Sequence, residues 1–401
     1  MRLAVELYGT KLATLTGSEH DFDLTISTDA YERFGISSSI LSLSIPLVPQ
    51  LRRDHAERRR NWFRELLPEG NQLSFMLANA ALRDGDTLGF LARYGRDFAG
   101  ALQIWDLDDP TEPQIPKLHT LTTAAVESLL TDPASTPLGN DALQGKSSLG
   151  GVQPKIVLVK TDSGWAQALG GYPTTHILKP QLDSIFSSVI FDEEYGSRLA
   201  RRLGLATHST EVTRFGDTQT LIIERFDRDL GQRIHQEDFS QILGASGNQK
   251  YQEIGGRVSL GRVASTLTRF VGSQEVTFLA RQVIFATAIG NLDMHTKNIS
   301  VLHPDSKPSR LAPAYDMVPQ LHMPGDGRMA LAINKKYRHS DITGRDLTDE
   351  LSSWGVRHAD ALVHEELTRL IRVTEEETPL PGAAKLLQEN ILATAKRLAN
   401  K

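Results

Sequence analysis

The first residues alternate in polarity. VELYGTKLATLT carries apolar and polar side chains with the period of a half-buried strand, and its glycine predicts a hairpin with the turn at Gly9 and Thr10. SILSLSIPLVP predicts another strand, ended by its prolines. From about residue 53 to 105 the period lengthens. NWFRELLPEGN places Trp62, Phe63, Leu66 and Leu67 on one helical face, with Gly70 as a stop signal just past the end. RYGRDFAGALQIW reads as a glycine-punctuated loop entering a strand. DLDDPTEPQIPKLHTLTT is polar and rich in Pro and Thr, and marks a boundary between an N-terminal module and the rest.

A second region begins near residue 145. GKSSLGGVQPK precedes an apolar run, Ile156 to Val159; TDSG turns the chain into WAQAL; THILKP is a short strand ending in Lys179. DEEYGSRLARRLGL reads as a helix with Tyr195, Leu199 and Leu203 at four-residue spacing and Arg198, Arg201 and Arg202 facing elsewhere. LIIERFDR begins as a buried-type strand, Leu221 to Ile223, and leaves through charged residues. A glycine-containing hairpin, a strand with Lys, a helix with acidic residues, a strand and a hinge follow the order of a kinase small lobe. From about residue 236 the pattern is mainly helical. QEVTFLARQVIFATAI, 274–289, puts Val276, Leu279, Val283 and Ala286 on one face and delivers the chain to Gly290. GAAKLLQENILATAKRLAN forms a final amphipathic helix. The expected fold is α+β: a two-lobed protein-kinase-like fold with a mixed β small lobe (145–228), a mostly helical large lobe (229–401) and an additional N-terminal α/β subdomain (1–110). No internal repeat or low-complexity tract interrupts this order.

Composition narrows the class. The chain has 401 residues, 40% hydrophobic and 23% charged, as in ordinary globular proteins. Its net charge of −5 argues against a broad intrinsic nucleic-acid surface. The basic run RRDHAERRR, 52–60, reads as a solvated helix face. Cysteine is absent, which excludes disulfides, thiolate metal sites and a cysteine nucleophile. Nothing resembles a signal peptide or reaches membrane-span length, so a cytoplasmic protein without a membrane partner is expected.

The candidate chemistry lies in GNLDMHTKN, 290–298, and LAPAYDMVP, 311–319. An isolated Asp or Asn is usually a turn former or cap. Here Asp293, Asn298 five positions on, and Asp316 after a short hydrophobic return have the spacing of a protein-kinase-type phosphotransferase. Ile299 to Leu302 and Leu311 to Tyr315, joined through HPDSKPS, predict a hairpin that carries Asn298 and Asp316 to neighbouring ends. Two such oxygens suit magnesium, which takes few protein ligands and completes its shell with phosphates. Upstream, Gly145, Gly150 and Gly151 let backbone N–H groups approach phosphate oxygens, although the segment is neither GxGxxG nor a Walker loop. Lys179 would neutralise the α- and β-phosphates, oriented by Glu194, with Glu193 as the runner-up. Backbone groups at Glu224, Arg225 and Phe226 would read an adenine edge, with Phe226 on the ring.

SLSIPL, YGRDFAGAL, SSLGGVQPK, ILKP, ERFDR, QEDFSQILG, GNLDMHTKN, YDMVP and LAINKKY together resemble the HipA-type serine/threonine kinases, the toxin half of a bacterial toxin–antitoxin pair. The resemblance implies Asp293 as catalytic base and Asn298 and Asp316 as Mg2+ ligands. It implies ATP contacts from Ser148, Gly150, Gly151, Val152, Gln153, Lys155, Lys179, Glu224, Arg225, Phe226, His295 and Lys297. His295 is expected to brace the loop; Lys297 either stabilises the transferring phosphoryl group or faces solvent. Autophosphorylation is implied at Ser148, with Ser147 beside it, as self-inactivation. The implied partners are a HipB-like helix-turn-helix antitoxin, DNA only through that antitoxin, and an aminoacyl-tRNA synthetase substrate of the glutamyl type. DMV stands where ordinary kinases have DFG, and no basic residue precedes Asp293, so control by an activation-loop phosphosite is not expected. The alternatives are a catalytically idle co-repressor bound to the antitoxin, and a small-molecule kinase on the same architecture. Filled catalytic positions disfavour the first, and the N-terminal module, better suited to protein docking, disfavours the second.

Overall fold

In the computed structural model, which describes residues 1–133, 136, 138–140, 144–151, 153–229 and 231–400, the initial alternation builds the hairpin β1 (Arg2–Leu7) and β2 (Thr10–Ser18). The turn falls one residue earlier than expected. Tyr8 and Gly9 carry φ of 52° and 75°, the mirror-image turn whose twist matches the flanking strands. Backbone contacts divide the chain into two compact units. The first holds Met1–Pro180, Thr213–Glu237 and Leu302–Lys307; the second holds Gln181–Val212, Asp238–Val301 and Pro308–Lys401.

In the first unit, β3 (Asp21–Ile26) and β4 (Gln103–Asp106) complete a four-stranded sheet ordered β3-β2-β1-β4. Helices α1 (Thr28–Phe34), α2 (Ala56–Arg64), α3 (Gly70–Asn79) and α4 (Thr87–Tyr94) accompany it. Leu3, Val5, Leu15, Trp62, Phe63 and Phe90 share one core. Two expectations are corrected. Gly70 opens α3 rather than stopping α2, which ends at Arg64 ahead of Pro68. SILSLSIPLVP forms no strand, because Pro46 and Pro49 lack N–H donors and the segment bonds elsewhere. Ser42 Oγ and the Leu43 N–H each donate to the buried Glu237 carboxylate at 2.6 Å. Trp62 Nε1 at 2.9 Å and His303 Nε2 at 3.1 Å approach the same carboxylate. Burial pushes that carboxyl up, but the bonds from His303, Ser42 and Trp62 outweigh it and hold it below its ordinary range.

The second sheet of this unit contains β5 (Lys117–Leu121), β6 (Ile156–Thr161), β7 (Gly164–Leu169), β8 (His176–Pro180), β9 (Thr210–Phe215) and β10 (Thr218–Glu224), in the order β5-β7-β6-β8-β10-β9. The polar stretch read as a boundary is therefore partly a strand, with Lys117 opposite Leu169 and Leu121 opposite Trp165. Helix α5 (Thr123–Thr131) sets Val126 and Leu130 against Ile156, Leu158 and Leu178. Beyond β10, the short hairpin β11 (Arg228–Asp229) and β12 (Gln232–Arg233) leads to β13 (His235–Asp238).

A buried charge cluster ties these parts together. Arg228 Nη2 lies 2.9 Å from Asp97 Oδ1, Arg225 Nη2 lies 2.7 Å from Asp227 Oδ2, and Arg233 Nη2 lies 3.5 Å from Asp97 Oδ1. Thr174 Oγ1 donates to Asp97 Oδ2 at 2.7 Å, and the Gly100 N–H donates to Asp227 Oδ2 at 2.6 Å. Burial raises both carboxyls, but the neighbouring guanidinium groups prevail and hold them below the carboxylate range. Burial draws Arg228 down to about 10, so it stays charged at neutral pH.

In the second unit, α6 (Val189–Arg202), α7 (Phe239–Leu243), α8 (Leu260–Phe270) and α9 (Ser273–Ile289) precede the expected hairpin. That hairpin forms from β14 (Ser300–His303) and β15 (Arg310–Leu311), with the Ala312 N–H donating to the Ser300 carbonyl at 2.8 Å. The second strand is shorter than Leu311 to Tyr315, because Pro313 has no N–H and Ala314 donates to the Leu205 carbonyl instead. The hairpin β16 (Arg328–Ile333) and β17 (Lys336–Arg338) follows, then α10 (Gly344–Ser353), α11 (Ala359–Glu376) and α12 (Leu387–Ala399). No helix among the described residues is long and apolar enough to cross a membrane.

Two outcomes follow from the buried polar groups. Asp97→Ala leaves Arg233 without its carboxylate and Arg228 with Asp227 alone, and is expected to cost about 3–5 kcal/mol in urea unfolding. Burial holds the His235 imidazole down at about 4, so it folds uncharged while the unfolded chain titrates near the ordinary 6.5. Its stabilising effect is complete above pH 6.5 and is lost as pH falls towards 4, since the unfolded state then binds the extra proton. The free energy of unfolding measured from pH 7 to 4 is expected to fall less steeply for His235→Gln than for the parent.

Candidate phosphotransfer site

Helix α9 buries Val276, Leu279, Val283 and Ala286 and stops at Gly290, whose left-handed φ of 73° reverses the chain. A side chain at Gly290 would also collide with Leu321, whose Cγ lies 2.4 Å from the Cβ position. The next residue, Asn291, holds two segments at once. Its Nδ2 donates to the Asp316 carbonyl at 3.1 Å, and its Oδ1 accepts from the Asp293 N–H at 3.1 Å. Gln320 repeats the link: its N–H donates to the Gly290 carbonyl and its Oε1 accepts from the Leu292 N–H, both at 2.9 Å. The Asp293 carboxylate accepts from the Tyr251 hydroxyl at 3.0 Å, and the edge of the Tyr251 ring meets His295 with centroids 5.4 Å apart.

Asn298 closes the loop. Its Nδ2 donates to the Asp293 carbonyl at 3.0 Å, which leaves Oδ1 as the end able to face a cation. Tyr315 sets the opposite strand, its hydroxyl donating to the Lys297 carbonyl at 2.7 Å and lying 2.6 Å from Ser300 Oγ. Asp316 sits at φ 56°, a left-handed conformation that Asp tolerates better than most residues and that recurs at functional sites. Against this turn packs Gly196 of α6: a Cβ there would stand 1.9 Å from the Met317 carbonyl oxygen. Among the described residues no group of three or more His, Asp or Glu gathers as a self-contained metal site. The all-oxygen pair Asn298 and Asp316 fits magnesium, whose remaining ligands are phosphate and water.

The other predicted residues are placed as follows. Lys179 is buried on β8 opposite Leu221 of β10. Both oxygens of Glu194, expected to orient Lys179, accept from Arg198 one turn along α6, at 2.9 and 3.1 Å; the runner-up Glu193 is also buried. Ser148 is 0% exposed, and its hydroxyl donates to the Leu66 carbonyl at 3.1 Å. Ser147 Oγ donates to Asp97 Oδ2 at 3.4 Å, while its N–H and carbonyl both pair with Asn140 at 2.9 Å. Neither serine hydroxyl is presented to a ligand in this arrangement, which corrects the expected phosphate contact from Ser148. Lys155 Nζ donates to the Gly150 carbonyl at 3.2 Å and crowds Gly151, whose φ is +100°. Gln153 is half-buried, and Val152 lies outside the described residues.

Glu224 is exposed at the end of β10 opposite His176, and Phe226 is half-buried. Arg225 is corrected: its guanidinium is held by Asp227, Thr174 and the Phe98 carbonyl, its N–H donates to Thr175, and its carbonyl accepts from Arg228. Buried charge explains this, since an unpaired guanidinium in that position would be costly. His295 is buried and Lys297 half-buried in the loop that carries Asp293.

Three positioning residues escaped the sequence reading. Asn291 lay inside the quoted motif and Gln320 just beyond it, each a single polar residue with no pattern of its own. Tyr251 is 42 positions from Asp293 and carries no local signal. Asn291→Ala and Gly196→Ala are each expected to lower kcat about 100-fold, because a displacement near 1 Å at a reacting centre is that costly. Single-turnover kinetics beside thermal unfolding check this; for Asn291→Ala the rate loss should far exceed any loss of stability.

Known proteins resemble this chain over most of its length. The HipA N-terminal domain profile matches residues 3–105, and that of the HipA-like C-terminal domain matches residues 147–378. Y4mE of Sinorhizobium fredii, a protein named as a kinase, is 31% identical over 334 residues, covering 79% of this chain and 77% of that one. The serine/threonine-protein kinase toxin HipA of Shewanella oneidensis is 26% identical over 332 residues, covering 77% of this chain and 73% of its own. A solved structure of the Shewanella oneidensis MR-1 toxin–antitoxin system of HipA, HipB and operator DNA superposes with a TM-score of 0.81 at 24% identity, over 98% of this chain and 97% of the other, and shares its kinase-like α+β fold. With a profile that spans more than half its length and a relative above 30% identity, this chain belongs to the HipA family of kinases.

Proposed function

We propose that the protein is a Mg-ATP-dependent serine/threonine protein kinase acting as the toxin of a bacterial toxin–antitoxin pair. The observation that carries this reading is the double hydrogen bond of Asn291, which fixes the Asp293 loop to the Asp316 loop. Asp293 takes the proton of the acceptor hydroxyl, and Tyr251 holds its carboxylate in one orientation. Asn298 and Asp316 would hold magnesium, which supplies charge neutralisation at the nucleotide phosphates when bound. Lys179 neutralises the α- and β-phosphates, with Glu194 or the runner-up Glu193 as the acidic residue that orients it. Glu224 and Phe226 receive the adenine.

The biological reading follows the relatives. The target is an aminoacyl-tRNA synthetase, by resemblance the glutamyl enzyme, and its phosphorylation arrests translation. A HipB-like antitoxin is the protein partner and brings DNA contact only indirectly. Autophosphorylation at Ser148 is self-inactivating. Because that hydroxyl is buried against Leu66 and its N–H is held by the Asp97 carbonyl at 2.9 Å, its modification requires release of the segment from Asp97. A phosphate there, carrying close to two charges, would oppose return to the same place.

Incubation with labelled ATP and Mg2+ tests the reading. The wild type is expected to acquire label, and Asp293→Ala to lose it by orders of magnitude. Label on neither protein, together with intact binding of an antitoxin, would establish an idle co-repressor instead. Ser148→Ala is expected to abolish self-labelling while leaving transfer to a protein substrate.

A further inference from the structure

Helix α6 carries a buried carboxylate that the phosphotransfer chemistry leaves unused. Asp192 is 0% exposed and lies in the second unit with both of its partners. Its Oδ1 accepts from the Ala384 N–H at 2.9 Å, in the segment between α11 and α12. Its Oδ2 faces His322 Nε2 at 3.1 Å, close enough for an ion pair but not aligned as a hydrogen bond, and among the described residues no other donor bonds that oxygen. His322 stands six positions after Asp316. The segment between them is gripped from two sides. On the side of the loop after α9, the Gln320 N–H donates to the Gly290 carbonyl and Leu321 packs on Gly290. On the side of α6, Gly196 meets the Met317 carbonyl and Asp192 meets His322. Residues 377–384 in turn strap α6. The Tyr195 hydroxyl donates to the Glu377 carbonyl at 2.7 Å, and Arg198 Nη1 donates to the Glu377 carboxylate at 2.6 Å. Phe191 packs against Gly382, where a Cβ would stand 2.7 Å from its ring.

We propose that Asp192 is a positioning residue for phosphotransfer: through His322 it fixes the segment that begins at Asp316, and so holds the Asp316 side chain ready for a divalent cation. The inference deepens the reading of Asp316 as a magnesium ligand and rests on it. A buried carboxylate oxygen without a partner is costly, and the His322 imidazole is the group placed to answer it. The left-handed backbone at Asp316 persists only where surrounding contacts over-determine it. Gln320 supplies such a restraint from the loop after α9, and the Asp192–His322 pair supplies one at the far end of the segment. Groups that act on a metal ligand through the protein, without touching the metal, change metal affinity by about 10- to 100-fold. The other oxygen of the same carboxylate holds Ala384, so the strap beyond α11 and the Asp316 segment meet at one side chain.

Mn2+ is titrated into the full chain in the presence of a non-hydrolysable ATP analogue, and bound metal is read from the loss of the free-ion electron paramagnetic resonance signal. Asp192→Asn, which keeps an acceptor for Ala384, and His322→Ala are each expected to weaken Mn2+ about tenfold, and the double variant no further than either change alone. Affinity for the analogue without metal should stay unchanged, which a general loosening of the fold would not spare. The His322 side chain is 19% exposed, so its replacement tests the pair even where thermal unfolding shows that Asp192→Asn does not fold. Asp316→Ala is the control and is expected to lose most of the metal affinity. If Asp316→Ala binds Mn2+ as the wild type does, the magnesium-ligand reading fails and the proposal with it. If Asp316→Ala loses the metal while His322→Ala keeps it, the positioning role alone is overturned. Additive losses in the double variant, or an equal loss of metal-free affinity for the analogue, overturn it as well.

Discussion

The first unit depends on the neutralisation of buried arginines by Asp97. One carboxylate meets Arg228 and Arg233, accepts from Thr174 and receives the Ser147 hydroxyl. The same residue's carbonyl accepts from Ser148. The entry to β8, the exit from β10 and the serine-bearing segment therefore converge on one side chain. Three buried guanidinium groups cannot remain charged in an apolar interior without such partners, and the cost of leaving one unpaired exceeds the gain from most single apolar contacts. The cluster is thus better understood as a device that selects one arrangement of loops than as a source of net stability.

The second unit solves a related problem with neutral groups. The loop after α9 leaves backbone N–H and C=O groups outside regular structure, and each needs a partner. Asn291 and Gln320 supply those partners from side chains, and in doing so fix Asp293 relative to Asp316. The left-handed backbone at Asp316 and the contact of Gly196 with the Met317 carbonyl show how tightly this turn is held. Rigid loop geometry of this kind holds side chains in place without reorganisation.

Charge is arranged differently in the two places. Around Asp97 it is buried and internally matched. Around a pocket beside Asp293, lined in part by Glu253, Asp326 and Arg328, it is exposed and unbalanced, with carboxylates in excess. Buried matched charge specifies structure, whereas exposed unbalanced charge acts on what approaches from solvent. Arg328 joins the two modes: it satisfies Glu253, yet the pair is solvent-accessible.

Much of this was legible in the sequence, because periodicity and spacing are local properties. Alternation around Gly9 determined the first hairpin, the apolar face of 274–289 determined α9, and the motifs GNLDMHTKN and LAPAYDMVP pointed to the kinase family. What failed was equally physical. SILSLSIPLVP has a strand's polarity pattern, but its hydroxyl and N–H groups are claimed by Glu237, nearly 200 residues away. Arg225 reads as part of a nucleotide hinge, but its guanidinium is held by Asp227 two residues on and by Asp97 far away in the sequence. Glu194 and Glu193 are indistinguishable as letters, and only the phase of the helix gives one of them to Arg198. Tyr251 carries no motif at all and reaches Asp293 only through the fold. Residue type and short-range spacing thus determined most of the elements and the family, while the pairing of polar groups across long separations, which no local pattern encodes, was decided by tertiary structure alone.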